Sequence, residues 1–220
     1  MTFPTTPRTT PSRKRERVGY ERVTAYAIID EALYCHVGFV VDGSPRVLPT
    51  LHVRTNETLY LHGSTGAAAM LAARGEGLPI CVTVTHIDAL VYARSWAHHS
   101  ANYRCVVAHG RAHLVTSDQE KWRVLQALVD KVGDGRSADS RPPTAKELTE
   151  TAVLALTLRE VSVKARVGGA IDDEADLSLP HWAGVVPLRL TPGRAEPAQG
   201  VHAPVPPYLP AADHLAPARV

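Results

Sequence analysis

Hydrophobic residues recur on two periods along this chain, and the switch between them marks out its elements. From Tyr20 to Tyr34 the apolar positions Val23, Tyr26, Ala27, Ile29 and Leu33 fall near helical spacing, which predicts an amphipathic helix laid over a core. The period then drops towards two. Tyr34 to Val41 is apolar and β-branched, Asp42-Gly43 is a hairpin signal, and Pro45 to Arg54 follows as a second strand. Thr55-Asn56 leads to a third strand, Glu57 to His62. Past a short helix from Gly66 to about Arg74, Pro79 to Ile87 sets Ile80, Val82 and Val84 against Cys81, Thr83 and Thr85, a strand with two unlike faces. Leu90 to Ser95 and the long Asn102 to Val115 complete six strands, with Gly110 as a candidate bulge. So many strands with so few helices between them predict a mainly β, α+β fold. Its simplest form is a closed six-stranded antiparallel barrel with flanking helices, since closure removes exposed strand edges.

Two capping boxes, Ser117-x-x-Glu120 and Thr144-x-x-Glu147, open helices after the barrel strands. The first carries Trp122, Leu125, Leu128, Val129 and Val132 on one face over about four turns. Val153 to Ala165 then returns to strand. Residues 1–18, rich in Thr and Pro over Met1 to Ser12, are expected to form a disordered arm; 19–190 form the folded domain, and 191–220 a Pro- and Ala-rich tail that is extended or disordered. Tyr208, within Pro204 to Pro210, could lie against a partner subunit.

Composition narrows the class. The chain of 220 residues is long enough for one domain with a sizeable core, and no apolar run approaches the roughly 18 residues that span a membrane. Met1 to Arg17 lacks the apolar stretch of a secretory signal, so a cytoplasmic protein is expected. A net charge of +2 gives no argument for nucleic acid, and no aromatic residues interleave Arg13 to Arg17. Cys35, Cys81 and Cys105 have no paired spacing and suit reduced thiols inside elements.

Three stretches carry candidate chemistry. At His62-Gly63-Ser64-Thr65-Gly66 a strand gives way to a helix, and the two glycines with two hydroxyl residues could aim several N–H groups at one anion. The same turn could be plain helix capping, or an imperfect nucleophile elbow in which His62 replaces the first glycine. At Asn102-Tyr103-Arg104 alternation puts Asn102 and Arg104 on one face, an amide and a guanidinium suited to phosphate. Lys164 and Arg166 share a strand face and could serve the same anion as Arg104, or pair with the acidic run Asp172-Asp173-Glu174. Trp182 is either a core plug or a wall against a flat ligand. Metal chemistry is not expected: His109 and His113 would lie roughly 13 Å apart on a strand, and His98 and His99 would face opposite sides.

Taken in order, Tyr34 to Phe39, Val47 to Thr50, Leu59 to Ser64, His98 to Val107, Ser162 to Arg166 and Trp182 to Gly184 resemble the pyridoxamine 5'-phosphate oxidase-related flavoproteins. The resemblance covers about Tyr20 to Leu190 and is nearest to the nitroimidazole-resistance branch. It implies an FMN-binding split barrel over 19–190 and a homodimer with FMN at the subunit interface. The flavin ring would lie on Val47, Leu48, Pro49 and Thr50, and its phosphate at His62, Gly63, Ser64, Thr65 and Gly66. Asn102, Tyr103 and Arg104 would approach that site, with Lys164, Arg166 and Trp182 as further contacts, and His62 would deliver a proton to a small organic substrate reduced by the flavin, a nitroaromatic being one candidate, which makes the protein an FMN-dependent oxidoreductase. The alternative is a non-catalytic binder of flavin, deazaflavin or heme. One departure matters: where relatives commonly place basic residues after the turn, this chain has Ala67, Ala68 and Ala69. A charge-assisted bond to phosphate is worth about 1.5–3 kcal/mol, so the phosphate is expected to depend on cations from elsewhere.

Overall fold

A computed structural model describes residues 1–209, so residues 210–220 of the expected tail lie outside the described residues. Nine strands form one antiparallel sheet: β1 (Val18–Gly19), β2 (Tyr34–Val41), β3 (Ser44–Thr55), β4 (Thr58–Ser64), β5 (Leu78–Tyr92), β6 (Ser100–Leu114), β7 (Thr151–Thr157), β8 (Glu160–Arg166) and β9 (Gly184–Pro187). Four helices accompany them: α1 (Arg22–Glu31), α2 (Ala68–Ala72), α3 (Asp118–Val132) and α4 (Ala145–Glu150). The strand order is β1-β8-β6-β7-β4-β3-β2-β5-β9, and an added β5–β6 pairing joins six of these strands into a ring. That is a split barrel of six strands, as expected, with β8, β1 and β9 laid along its flanks.

Its membership differs from the sequence expectation in two places. Pro79 to Ser95 holds one strand, β5, because the register slips by one residue between Ile87 and Ala89 instead of breaking. Val153 to Ala165 holds two, since Leu158-Arg159 turns the chain, and β7 closes the ring against β4 and β6 while β8 flanks β6. Gly110 is no bulge: it pairs in register with Ile80, and a side chain there would meet Leu156 Cδ1 at 2.6 Å. Its hydrogen lets the barrel wall close on Leu156.

Alternation along β5 and β6 sends Ile80, Val82, Val84, Val106 and Ala108 inward to meet Leu59, Leu61, Leu154 and Leu156. Over one opening lies α1, with Ala25, Ile28 and Ile29 buried. The arm expected to be disordered is packed against α1: Phe3 is buried, sits edge-on to Tyr26 and donates its N–H to the Tyr20 carbonyl at 2.8 Å. Arg8 and Thr6 both bond Glu160. Thr/Pro composition argued for disorder, but one buried aromatic supplies the anchor that such tails lack. Among the described residues no helix is long and apolar enough to cross a membrane.

The end of α1 has no basic residue of its own in its last turn, yet its carbonyls are not left bare. His52 Nε2 lies 2.8 Å from the Ile29 oxygen and His86 Nε2 lies 3.0 Å from that of Ile28. A ring nitrogen that close to a carbonyl must carry the proton, which leaves His52 Nδ1 as a bare acceptor; it is buried without a partner. Beside it, Arg54 pairs with Asp30 and Arg104 with Glu31.

Full burial brings the His52 pKa down to about 4. The folded state therefore resists a proton that the unfolded chain takes up near pH 6.5, and stability present above that pH is lost as pH falls towards 4. Urea midpoints measured from pH 7 down to 4 are expected to fall by the equivalent of roughly 3 kcal/mol, with a shallower fall in His52→Gln. Arg104→Ala is expected to lower stability by roughly 1–3 kcal/mol at pH 7 by freeing the end of α1.

Candidate functional site

Strands β3 and β4 pair from Thr55↔Thr58 to His52↔Leu61 and then part. From there β4 continues beside β7, ending at Ser64↔Thr151, while β3 keeps only β2 as a neighbour along Ser44–Leu51. The candidate site lies at this split.

On the β3 side, Val47, Leu48 and Pro49 are exposed, Thr50 is half-buried, and the outer edge of Ser44–Leu51 has no partner strand among the described residues. Val47 is 65% and Leu48 51% exposed, which is unusual for apolar residues within a barrel strand. A bare strand edge with apolar side chains on both faces can accept a flat ligand, a second copy of the chain, or both.

On the β4 side, the turn after His62 is less generous to anions than its composition suggested. The Thr65 N–H donates to the Glu150 carbonyl at 3.0 Å, that of Gly66 to Ser64 Oγ at 3.3 Å, and that of Ala67 to the Ser64 carbonyl at 2.9 Å. Two donors expected to face a phosphate, Thr65 and Gly66, and the Ala67 N–H beyond them are thus spent within the chain, and α2 is only five residues long. Gly63 serves packing, since a side chain there would meet Met70 Cε at 3.0 Å. Ser64 Oγ bonds only its own turn, so no nucleophile elbow is assembled.

His62 and Leu51, the first residue of each strand past the split, line a cavity of about 590 Å³ roofed by α3. The apolar face expected on α3 is real but only partly covered: Val124 and Leu128 are buried, while Trp122, Leu125, Val129 and Val132 face the cavity. Arg136 and Arg141, on the loop between α3 and α4, stand at its polar side. His62 Nδ1 is buried without a hydrogen-bond partner, and burial lowers the pKa of the ring. At pH 7 the imidazole is neutral. It is suited to act as a hydrogen-bond donor or a metal ligand more than as the charged acid that proton delivery would use.

The cations expected at the site are distributed elsewhere. Arg104 makes four hydrogen bonds, to Asp88 at 2.8 and 2.9 Å and to Glu31 at 2.6 and 3.0 Å. Its hydrogen bonds lower the pKa of both carboxylates, and a phosphate arriving there would meet two negative charges against one positive. Asp88 is the extra residue at the β5 register slip, so the bulge aims a carboxylate at Arg104. Lys164 pairs with Cys105 and Arg166 with Tyr103, which places both cations on the face of the sheet opposite Arg104. Arg166 is buried and donates to Asn102 Oδ1 and to the carbonyls of Gly168 and Gly169 at 3.2 and 2.8 Å. Asn102, also buried, donates to the Gly168 carbonyl at 3.0 Å. These two polar side chains shape the loop after β8. The acidic run pairs with Arg94, through Asp172, in place of Lys164 or Arg166. Tyr103 is half-buried on β6.

Trp182 is no core plug: it is 66% exposed, stacks on Gly184 and sits 5.7 Å from the Tyr92 ring. Of the tail, Tyr208 bonds Asp139 at 2.7 Å and accepts from Arg136 at 3.0 Å within its own chain. Sequence reasoning missed Arg136 and Arg141, which lie in a loop with no periodicity; their only signal was basic charge just past an apolar helix face. His98, Asp173 and Asp176 lie close enough to share a cation, but two of the three are half-exposed side chains on the surface and nothing else converges there.

The comparisons with known proteins agree with this geometry. The family model described as pyridoxamine 5'-phosphate oxidase matches residues 21–165. The flavocytochrome Anf3 from Azotobacter vinelandii overlays with a TM-score of 0.85 at 35% identity, covering 92% of this chain and 94% of its own. The FAD and heme binding protein from Mycobacterium smegmatis overlays at 0.82 with 34% identity, covering 87% of this chain and 95% of its own. A 5-nitroimidazole antibiotic resistance protein homologue from Bacteroides thetaiotaomicron shares the fold at 0.56 and 19% identity, covering 67% and 85%. No protein of curated function matches the chain. The matched span runs through α1 and every strand of the split ring, and with relatives a third identical over nearly the whole length it makes this chain a member of the pyridoxamine 5'-phosphate oxidase family.

Proposed function

We propose that this protein is a flavin-dependent oxidoreductase working as a homodimer, with the flavin ring along Val47 to Thr50 of β3 and heme as a second cofactor. The observation that carries the reading is the bare, apolar edge of β3 at the split of a barrel belonging to a flavin-using family. Two relatives that match nearly the whole chain support it: one is a flavocytochrome and the other binds FAD and heme. Bound flavin would supply the electron chemistry, and the chain's own residues supply orientation, a dry apolar wall and control of proton access. Reducing equivalents pass to a small organic acceptor, a nitroaromatic among the candidates.

The cradle also bears on which flavin is held. FMN grips through one phosphate, and here the turn has spent three N–H groups and offers Ala67, Ala68 and Ala69 where a cation would stand. A dinucleotide spreads its binding over a second phosphate and an adenine, so the geometry supports FAD over the FMN that the sequence resemblance implied.

The same edge supports the dimer. Tyr34, Val40, Val47, Leu48 and Leu51 expose apolar area around β2 and β3 that one chain leaves uncovered.

Titrating the apoprotein with each flavin is expected to show FAD binding roughly tenfold or more tightly than FMN; equal affinity would refute the argument from the cradle. Arg104→Ala is expected to leave flavin affinity unchanged, because its guanidinium serves α1. Turnover of reduced nicotinamide with an acceptor by the reconstituted protein separates the enzyme from a carrier that binds without turnover. Sedimentation equilibrium should find a dimer for the native chain and a monomer for Leu48→Asp, with loss of flavin in the monomer.

A further inference from the structure

The cavity beneath α3 has three properties that together specify a ligand. Its walls are apolar: Leu51 faces Trp122, Leu125, Val129 and Val132 across about 590 Å³, a volume suited to a flat organic molecule. Val124 and Leu128 of that helix are buried in the core and Leu125 packs partly against it, which leaves Trp122, Val129 and Val132 uncovered. The chain thus presents an apolar surface that its own residues do not fill.

A single nitrogen ligand projects from the wall. His62 is the one imidazole in the lining, and its Nδ1 is buried without a hydrogen-bond partner. A buried polar atom left unsatisfied costs stability, so it calls for an explanation in what binds there. The one carboxylate in the lining, that of Glu147, is occupied by Arg141 and by the capping of α4 at Thr144. An imidazole without competing carboxylates favours iron, copper or zinc over magnesium or calcium.

Two cations stand at the polar side. Arg136 bonds Asp139 at 3.4 Å and Arg141 bonds Glu147 at 2.9 Å, both pairs at the surface. Each guanidinium has five N–H donors, so it can meet a ligand carboxylate while keeping its present partner, and Glu147 stays occupied.

A planar apolar ring with a metal at its centre and two acid groups on one edge meets all three conditions. We propose that this cavity is the heme site, with His62 giving an axial nitrogen to the iron and Arg136 and Arg141 meeting the two propionates. Histidine is a common axial ligand of heme iron, and a dry apolar pocket around it sets the potential of the iron. This assignment rests on the flavin-and-heme reading above, and it adds the place. Leu51 ends the β3 segment assigned to the flavin ring and also lines the cavity, so the two cofactors would be neighbours along one strand.

The test uses the full-length protein titrated with hemin and followed by its Soret and visible bands in the ferric and ferrous states. Wild type is expected to bind one hemin per chain with the spectrum of an imidazole-ligated iron. In His62→Ala the bands should shift to those of iron lacking that nitrogen, affinity should fall by roughly tenfold or more, and added imidazole should restore the native spectrum. Val129→Trp, which fills the cavity while leaving His62 in place, should abolish hemin uptake; far-UV circular dichroism on both variants checks that each is folded. If wild type binds hemin and both variants bind it with unchanged spectrum and affinity, the site is elsewhere and this assignment is overturned while the heme reading stands. If wild type takes up no hemin at all, the heme reading itself fails and the assignment with it.

Discussion

The placement of α1 over the open end of the barrel is the constraint on which the rest depends. Ile28, Ile29, Asp30 and Glu31 are held in turn by His86 of β5, His52 of β3, Arg54 of β3 and Arg104 of β6. Lys131 of α3 reaches the same Ile29 carbonyl at 3.4 Å, and its half-buried amine is held below its usual pKa. The last carbonyls of a helix must find donors, and α1 brings none of its own, so strands from three parts of the ring and the roof of the cavity are tied to one point. Locking β3 through His52 and Arg54 fixes the residue at which it leaves β4, and with it the position of the split.

That same constraint consumes the residue that looked most like a phosphate ligand. Alternation assigned Asn102 and Arg104 to one face and one anion, but Asn102 bonds Arg166 while Arg104 bonds Glu31 and Asp88, and alternation carries no information about what sits across from a strand. Glu31 comes from a helix end 73 residues earlier in the chain and Asp88 from a register slip, and neither is visible in the local pattern of β6. Lys164 and Arg166 were assigned to the face of Arg104 because strand pairing register cannot be read from either strand alone; a shift of one residue moves every side chain to the other face.

What was legible followed from strong local signals. The Asp42-Gly43 hairpin has both residues at positive φ, as a tight two-residue turn requires, and the Thr144 capping box is complete. The Ser117 box is half made: Ser117 accepts from the Glu120 N–H, but the Glu120 carboxylate instead takes the Tyr60 hydroxyl at 2.8 Å, tying α3 to β4. The six-stranded ring was legible in number and misjudged in membership, because a bulge and a break look alike in a one-dimensional pattern. His62 was found for the character of its turn, yet it lines a cavity whose roof lies some 60 residues further on, as the Tyr60–Glu120 bond shows. The arm was misread because composition averages over residues, and a single Phe3 outweighs its polar neighbours once it is buried.

A barrel that closed fully between β3 and β4 would pair every backbone group and leave no room for chemistry. Here pairing stops after His52↔Leu61, which leaves the β3 edge open on the Val47 side, while on the Leu51 side α3 roofs the cavity. One edge therefore generates both surfaces that the chain leaves open. The two surfaces are adjacent because Leu51 ends the exposed run of β3 and also lines the cavity.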